Sequence, residues 1–193
     1  MFRIYYDRNK VTSTIILINV MMALVVILSG GFNLLNLISW GALSPYFVFE
    51  NSEWYRLITS MVLHGSIFHL IMNMYVLFYL GAFMEKILGK IKFLILYLIS
   101  GLISSLTVVF IGSPNVVTVG ASGSIFGIMG ALFIMTFMKN NFLNIQTIKS
   151  IRYLTFINIF FTLLIPSISV EGHLGGLISG LIIYYLFSIQ KAK

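Results

Sequence analysis

From Phe93 to Met138 the chain runs 46 residues without one Asp, Glu, Lys or Arg. A stretch of that kind belongs in lipid, and lipid permits few backbone arrangements. Hydrocarbon offers no hydrogen-bonding partner, so a spanning segment must satisfy its own N–H and C=O groups, as a helix or in a closed barrel. A spanning helix needs about 17–25 apolar residues at a rise of about 1.5 Å each. Six segments meet or approach this length: about 12–31, 66–84, 93–111, 120–138, 151–167 and 172–189. The expectation is an all-α membrane protein, a bundle of six transmembrane helices forming one membrane domain over residues 1–193. Composition agrees, at 59% hydrophobic and 9% charged residues, against roughly 45–50% and 25% in soluble proteins. The apolar run from Val11 to Phe32 is too long for a signal-peptide core and has no clear A-x-A site, so it reads as a retained first span.

Charge placement predicts orientation. With the N-terminus inside, Arg3, Arg8, Lys10, Lys86, Lys90, Lys92, Lys139, Lys149, Arg152, Lys191 and Lys193 all fall on the inner side, leaving only Arg56 outside. The positive-inside rule then puts both termini in the cytoplasm. The net charge of +7 sits in short clusters between apolar runs, with no basic face interleaved with aromatics, which excludes a nucleic-acid partner. Absence of cysteine excludes disulfides, thiol nucleophiles and thiolate metal sites. The longest outer loop, 32–65, carries Trp40, Tyr46, Trp54 and Tyr55. Aromatics with polar tips suit a membrane interface, so this loop is expected to lie along the outer leaflet.

Polar side chains inside a bilayer are functional candidates by default. Here they are Ser122, His64, His69, Asn73 and His173. Singly, each has an ordinary explanation: a serine at a helix start caps it, and a histidine near an interface meets water. Depth makes the set informative. Ser122 and His69 each precede the next inner lysine by 17 residues and His173 precedes it by 18. At about 1.5 Å per residue all three share one level, about 25–27 Å above the inner boundary. Gly123, Gly127 and Gly130 line one face of the fourth segment, and Gly172, Gly176 and Gly180 one face of the sixth. Small residues so spaced bring membrane helices into close contact, near enough for a short hydroxyl to meet an imidazole.

Elimination narrows the chemistry. The only aspartate, Asp7, is in the N-terminal tail, which removes an aspartyl dyad and a Ser-His-Asp triad. Glu171, two residues before His173, is a weak substitute because its position favours outer water. No H-E-x-x-H occurs and no lysine is buried. Three histidines are enough for a zinc site, but zinc leaves the serine and the glycine faces unexplained. A Ser122–His173 dyad remains, with the Ser122 amide, His69 and Asn73 as oxyanion donors. It requires no metal and no cofactor.

These residues resemble a known family. "GASG" at 120–123, "HGSIFHLIMN" at 64–73 and "GHLGGLISG" at 172–180 together look like the rhomboid intramembrane serine proteases, over nearly the whole chain and in the six-helix bacterial form. The resemblance implies Ser122 as nucleophile, His173 as general base, and His69 and Asn73 in the oxyanion hole, with His64 supporting. It implies that Phe126 packs beside the His173 ring, that Gly120, Gly123 and Gly176 serve packing or substrate contact, and that Glu85 is structural. It further implies cleavage of transmembrane protein substrates near the outer face of a bacterial plasma membrane, with the fifth segment and its Phe156, Phe160 and Phe161 as a lateral gate. Two departures stand out: "EWYR" at 53–56 replaces an adjacent Trp-Arg, and Gly172 replaces an alanine. A catalytically inactive, rhomboid-like binding module is the alternative.

Overall fold

The computed structural model describes residues 8–138 and 143–190. The expected inner basic residues Arg3, Lys139, Lys191 and Lys193, and Asp7, lie outside the described residues. Within them the chain is helical, with one isolated β-bridge between Leu43 and Thr118. Helix α1 spans Lys10–Ser29. Three short helices follow in the long loop, α2 (Leu34–Ser39), α3 (Pro45–Glu50) and α4 (Arg56–Thr59). Then come α5 (Ile67–Leu88), α6 (Lys90–Ile111), α7 (Ser122–Met135), α8 (Ile145–Leu164) and α9 (Val170–Gln190). Helices α1, α5, α6, α8 and α9 are long and apolar enough to cross a membrane.

The segment expected as a fourth span, 120–138, holds a helix of only 14 residues, about 21 Å long against a hydrocarbon core of about 30 Å. Its burial explains why so short a helix is stable. Ile128, Ala131, Leu132 and Met135 of α7 are all within 1% of complete burial. A helix sheathed by protein need not match the lipid thickness. Its C-terminal end is met by Arg152, which donates to the Thr136 hydroxyl at 3.0 Å and to the Thr136 carbonyl at 3.1 Å. A cation at that end opposes the negative pole of the helix dipole.

Glycine decides how α7 meets its neighbours. A Cβ on Gly176 would run into the Gly123 carbonyl, one on Gly180 into the Gly127 carbonyl, and one on Gly130 into the Leu177 carbonyl. Helices α7 and α9 therefore pack backbone to backbone, as small residues permit in membranes. Ser104 of α6 fills the space beside Gly123 and donates to the Gly172 carbonyl at 2.7 Å. A Cβ at Gly172 would lie 3.0 Å from the Ser169 hydroxyl and 3.1 Å from Val108, so the local crowding favours glycine there.

At the other end of the bundle, Glu85 of α5 is buried and accepts from the Val11 and Thr12 amides, at 3.0 and 2.8 Å, and from the Thr12 hydroxyl at 2.8 Å. These amides belong to the first turn of α1 and have no partners within their own helix. The carboxylate thus caps one helix from the end of another, which is a structural task.

The long loop is a folded unit. Arg56 is 4% exposed and donates to the Ile38 and Ala42 carbonyls, each at 2.8 Å. Its guanidinium also pairs with Glu53 and lies over the Phe47 ring, 4.5 Å from the centroid. The Arg56 guanidinium holds the Glu53 carboxyl below the usual range, chiefly by hydrogen bonding. The one basic residue assigned to the outer side is therefore a buried staple rather than a surface charge. Leu34, Leu35, Trp40, Tyr46, Phe49 and Trp54 remain exposed.

Candidate active site

The long loop pins the segment that leads into α7. Leu43 and Thr118 exchange both backbone hydrogen bonds, at 3.0 and 2.9 Å, and Gly120 donates to the Ser60 carbonyl at 2.9 Å. Gly120 then turns the chain with φ +131°, a conformation side-chain-bearing residues rarely adopt. A Cβ at Gly120 would stand 2.9 Å from the His69 ring and 3.5 Å from the Asn73 amide nitrogen. Backbone demand and crowding by His69 thus both call for glycine. One residue after Ala121, the chain enters α7 at Ser122, at the positive pole of that helix.

His69 and Asn73 come from the start of α5. The Ser66 side chain accepts from the His69 amide at 3.0 Å, capping the helix and setting the phase of its first turn. Asn73 follows one turn later, on the same face. His173 lies in the first turn of α9, where Ser169 accepts from the Gly172 amide at 3.1 Å. Its ring stacks on Phe126, with centroids 4.0 Å apart and planes 23° apart.

These elements enclose a cavity of about 440 Å³, lined by Ser122, His173, His69, Asn73, Phe126 and Gly120 among others, including Gly123. It sits where α5, α7 and α9 begin. Of the residues singled out from sequence, His64 and Gly176 do not line it. His64 is 1% exposed, and its ring meets His69 edge-on at 5.1 Å between centroids. Burial, reinforced by neighbouring His69, pushes the His64 ring down to about 3, so it is neutral at physiological pH. Gly176 lies deeper, against Gly123. Among the described residues no hydrogen bond joins Ser122 to His173, and no three His, Cys, Asp or Glu side chains converge as a metal site would require.

Two features, one in the cavity wall and one behind it, bear on its chemistry. The Asn73 amide nitrogen is buried and has no hydrogen-bond acceptor. A buried donor left unpaired is costly, and Asn73 is one of the residues that line the cavity. The second is Thr162 of α8, 2% exposed, whose hydroxyl lies 2.9 Å from His173 Nδ1. Sequence reasoning missed Thr162. Its signal is the spacing of Thr155, Asn158 and Thr162, which puts three polar side chains on one face of α8. Of the phenylalanines expected to plug the bundle, Phe156 meets Phe133 of α7 edge-on at 5.7 Å between centroids, while Phe156, Phe160 and Phe161 remain 61%, 59% and 46% exposed. Glu171 accepts a long hydrogen bond from Ser169 at 3.4 Å.

Fold and site together define a multi-pass helical membrane protein with a polar cavity, bearing serine, histidine and asparagine, at one end of its bundle. The rhomboid domain profile matches residues 51–190, and the chain belongs to the rhomboid family. It is 33% identical to YdcA of Bacillus subtilis over 143 residues, 74% of this chain and 71% of that protein. It is 34% identical to rhomboid protease GluP of the same organism, over 97% of this chain but 37% of GluP. Inactive RHOMBOID-like protein 8 of Arabidopsis thaliana is 30% identical over 74% of this chain and 39% of its own length. Apart from YdcA, the chain spans less than half the length of these relatives.

Proposed function

We propose that this chain is an intramembrane serine endopeptidase that cleaves transmembrane segments of other membrane proteins near the outer face. The observation that carries it is the convergence of Ser122, His173 and the unpaired Asn73 amide on one cavity of about 440 Å³. Ser122 Oγ would attack the scissile carbonyl carbon while its proton passes to His173 Nε2. The oxyanion would accept hydrogen bonds from the Asn73 amide, the His69 ring and the Ser122 N–H, which the α7 dipole favours. The His173 imidazolium would then protonate the leaving amine, and water would hydrolyse the acyl-enzyme by the reverse route. His64 would brace His69 from behind. In this reading residues 1–193 form one domain with α7 completing six spans, both termini cytoplasmic, in a bacterial plasma membrane, with no cofactor.

The reading is tested with purified protein and a fluorogenic transmembrane substrate in liposomes. Cleavage should be lost in Ser122→Ala and in His173→Ala, with thermal unfolding unchanged. Full activity in Ser122→Ala would refute it. The alternative, an inactive binding module, has support in a relative named inactive. It predicts substrate capture without cleavage and no labelling of Ser122 by a fluorophosphonate.

A further inference from the structure

We propose that Thr162 is the positioning residue for His173, holding the imidazole with its proton on Nδ1 and the lone pair of Nε2 turned toward Ser122. The proposal deepens the dyad reading above and rests on it for its catalytic consequence. Thr162 Oγ1 lies 2.9 Å from His173 Nδ1 and 2.8 Å from the Asn158 carbonyl. A carbonyl only accepts, and a hydroxyl has one proton to give. Once that proton goes to the carbonyl, the hydroxyl oxygen becomes the acceptor for the ring N–H. The result is a directed chain from imidazole N–H to threonine hydroxyl to helix carbonyl.

Two constraints then hold the ring. Stacking on Phe126 at 4.0 Å sets its plane, while the Thr162 bond sets its rotation within that plane. At 2% exposure, the Thr162 side chain is shielded from solvent. In a serine–histidine–carboxylate site an acidic side chain orients the base. Here the nearest acid in sequence, Glu171, interacts with Ser169 instead. Burying a carboxylate at this depth carries a heavy desolvation penalty, whereas a hydroxyl backed by a carbonyl carries none of comparable size. When the ring takes up the Ser122 proton, the Nδ1–H bond becomes charge-assisted and strengthens, so its effect should fall on kcat. Thr162 belongs to α8 and His173 to α9, so the seating of α8 and the aim of the base are physically linked.

The test compares Thr162→Val, which keeps the shape, with Thr162→Ser, which keeps the hydroxyl. Thr162→Val should lower kcat roughly tenfold, the size of one buried hydrogen bond, with KM unchanged. Thr162→Ser should restore kcat to within about threefold of wild type, a rescue that depends on the retained hydrogen bond. Nitrogen-15 histidine NMR of the wild-type protein should show His173 protonated on Nδ1 and bare on Nε2, and mixed tautomers in Thr162→Val. Wild-type kcat in Thr162→Val, or a wild-type ring protonated on Nε2, overturns the proposal. Activity surviving in Ser122→Ala would sink the dyad alone, since the tautomer measurement requires no turnover.

Discussion

Replacing Asn73 by leucine should make the protein more stable and less active at once. Leucine nearly matches asparagine in shape but has no polar atom. The Asn73 residue is 8% exposed, and its amide nitrogen is fully buried without an acceptor. Leaving such a donor unsatisfied costs about 1–3 kcal/mol, and leucine removes that cost. Met72, Val76, Ile125 and Met129 line the same cavity, so an apolar side chain has apolar neighbours there. For a chain of this length about 1 kcal/mol corresponds to roughly 2–4 °C, so Tm should rise by at least about 2 °C. In the transition state the same amide would meet the oxyanion, and loss of one such donor lowers kcat by about 10²–10³, or about 2.7–4 kcal/mol. The assay pairs thermal unfolding in detergent with kcat on a transmembrane substrate in liposomes. A leucine variant that unfolds at or below the wild-type temperature refutes the unsatisfied-donor argument. One that keeps wild-type kcat refutes the oxyanion assignment.

Other perturbations separate the scaffold from the chemistry. Arg56→Ala should destabilise by about 2–3 kcal/mol, since it strips donors from the Ile38 and Ala42 carbonyls; Arg56→Lys should rescue little, because an ammonium lacks the planar fork. An equal Tm in all three proteins would show that the staple is not structural. Gly180→Ala drives a Cβ into the Gly127 carbonyl and should cost at least about 1–3 kcal/mol as α7 and α9 are forced apart, read as a fall in Tm; an unchanged Tm would show that the contact relaxes freely. His64 makes stability pH-dependent in a definite direction. Its native ring titrates near 3, whereas an unfolded chain takes up the proton near pH 6.5. Stability from this group is complete above about pH 6.5 and falls by about 1.4 kcal/mol per pH unit as pH drops toward 3. His64→Phe should flatten the Tm decline between pH 7 and 5, and an unaltered slope would assign that decline to other groups.

Hydropathy carried the architecture because lipid leaves the backbone no choice. Each apolar run had to become a helix, and five of the six expected segments are helices long enough to span. Glycine spacing identified the contact between α7 and α9, because the absence of a side chain is itself written in the sequence. The polar set Ser122, His69, Asn73 and His173 was likewise legible, since polar groups stand out in apolar runs, and the fold gathers all four around one cavity.

What the sequence did not contain was the choice of partner across space. The short length of α7 follows from its burial and from Arg152 at its end. Arg56 appeared as an outer charge but is a buried staple, because the carbonyls that receive it lie 14 and 18 residues away on a folded loop. The fifth segment's phenylalanines stand out in the sequence, yet only its rotation sets Phe156 against Phe133 of α7 and brings Thr162 to His173. The sequence by itself determined the solvent, the helices and the inventory of reactive groups, because each is set by local composition. Tertiary structure alone decided which groups meet, since that depends on how each helix is turned against its neighbours, and a hydrogen bond is lost within an ångström of misplacement.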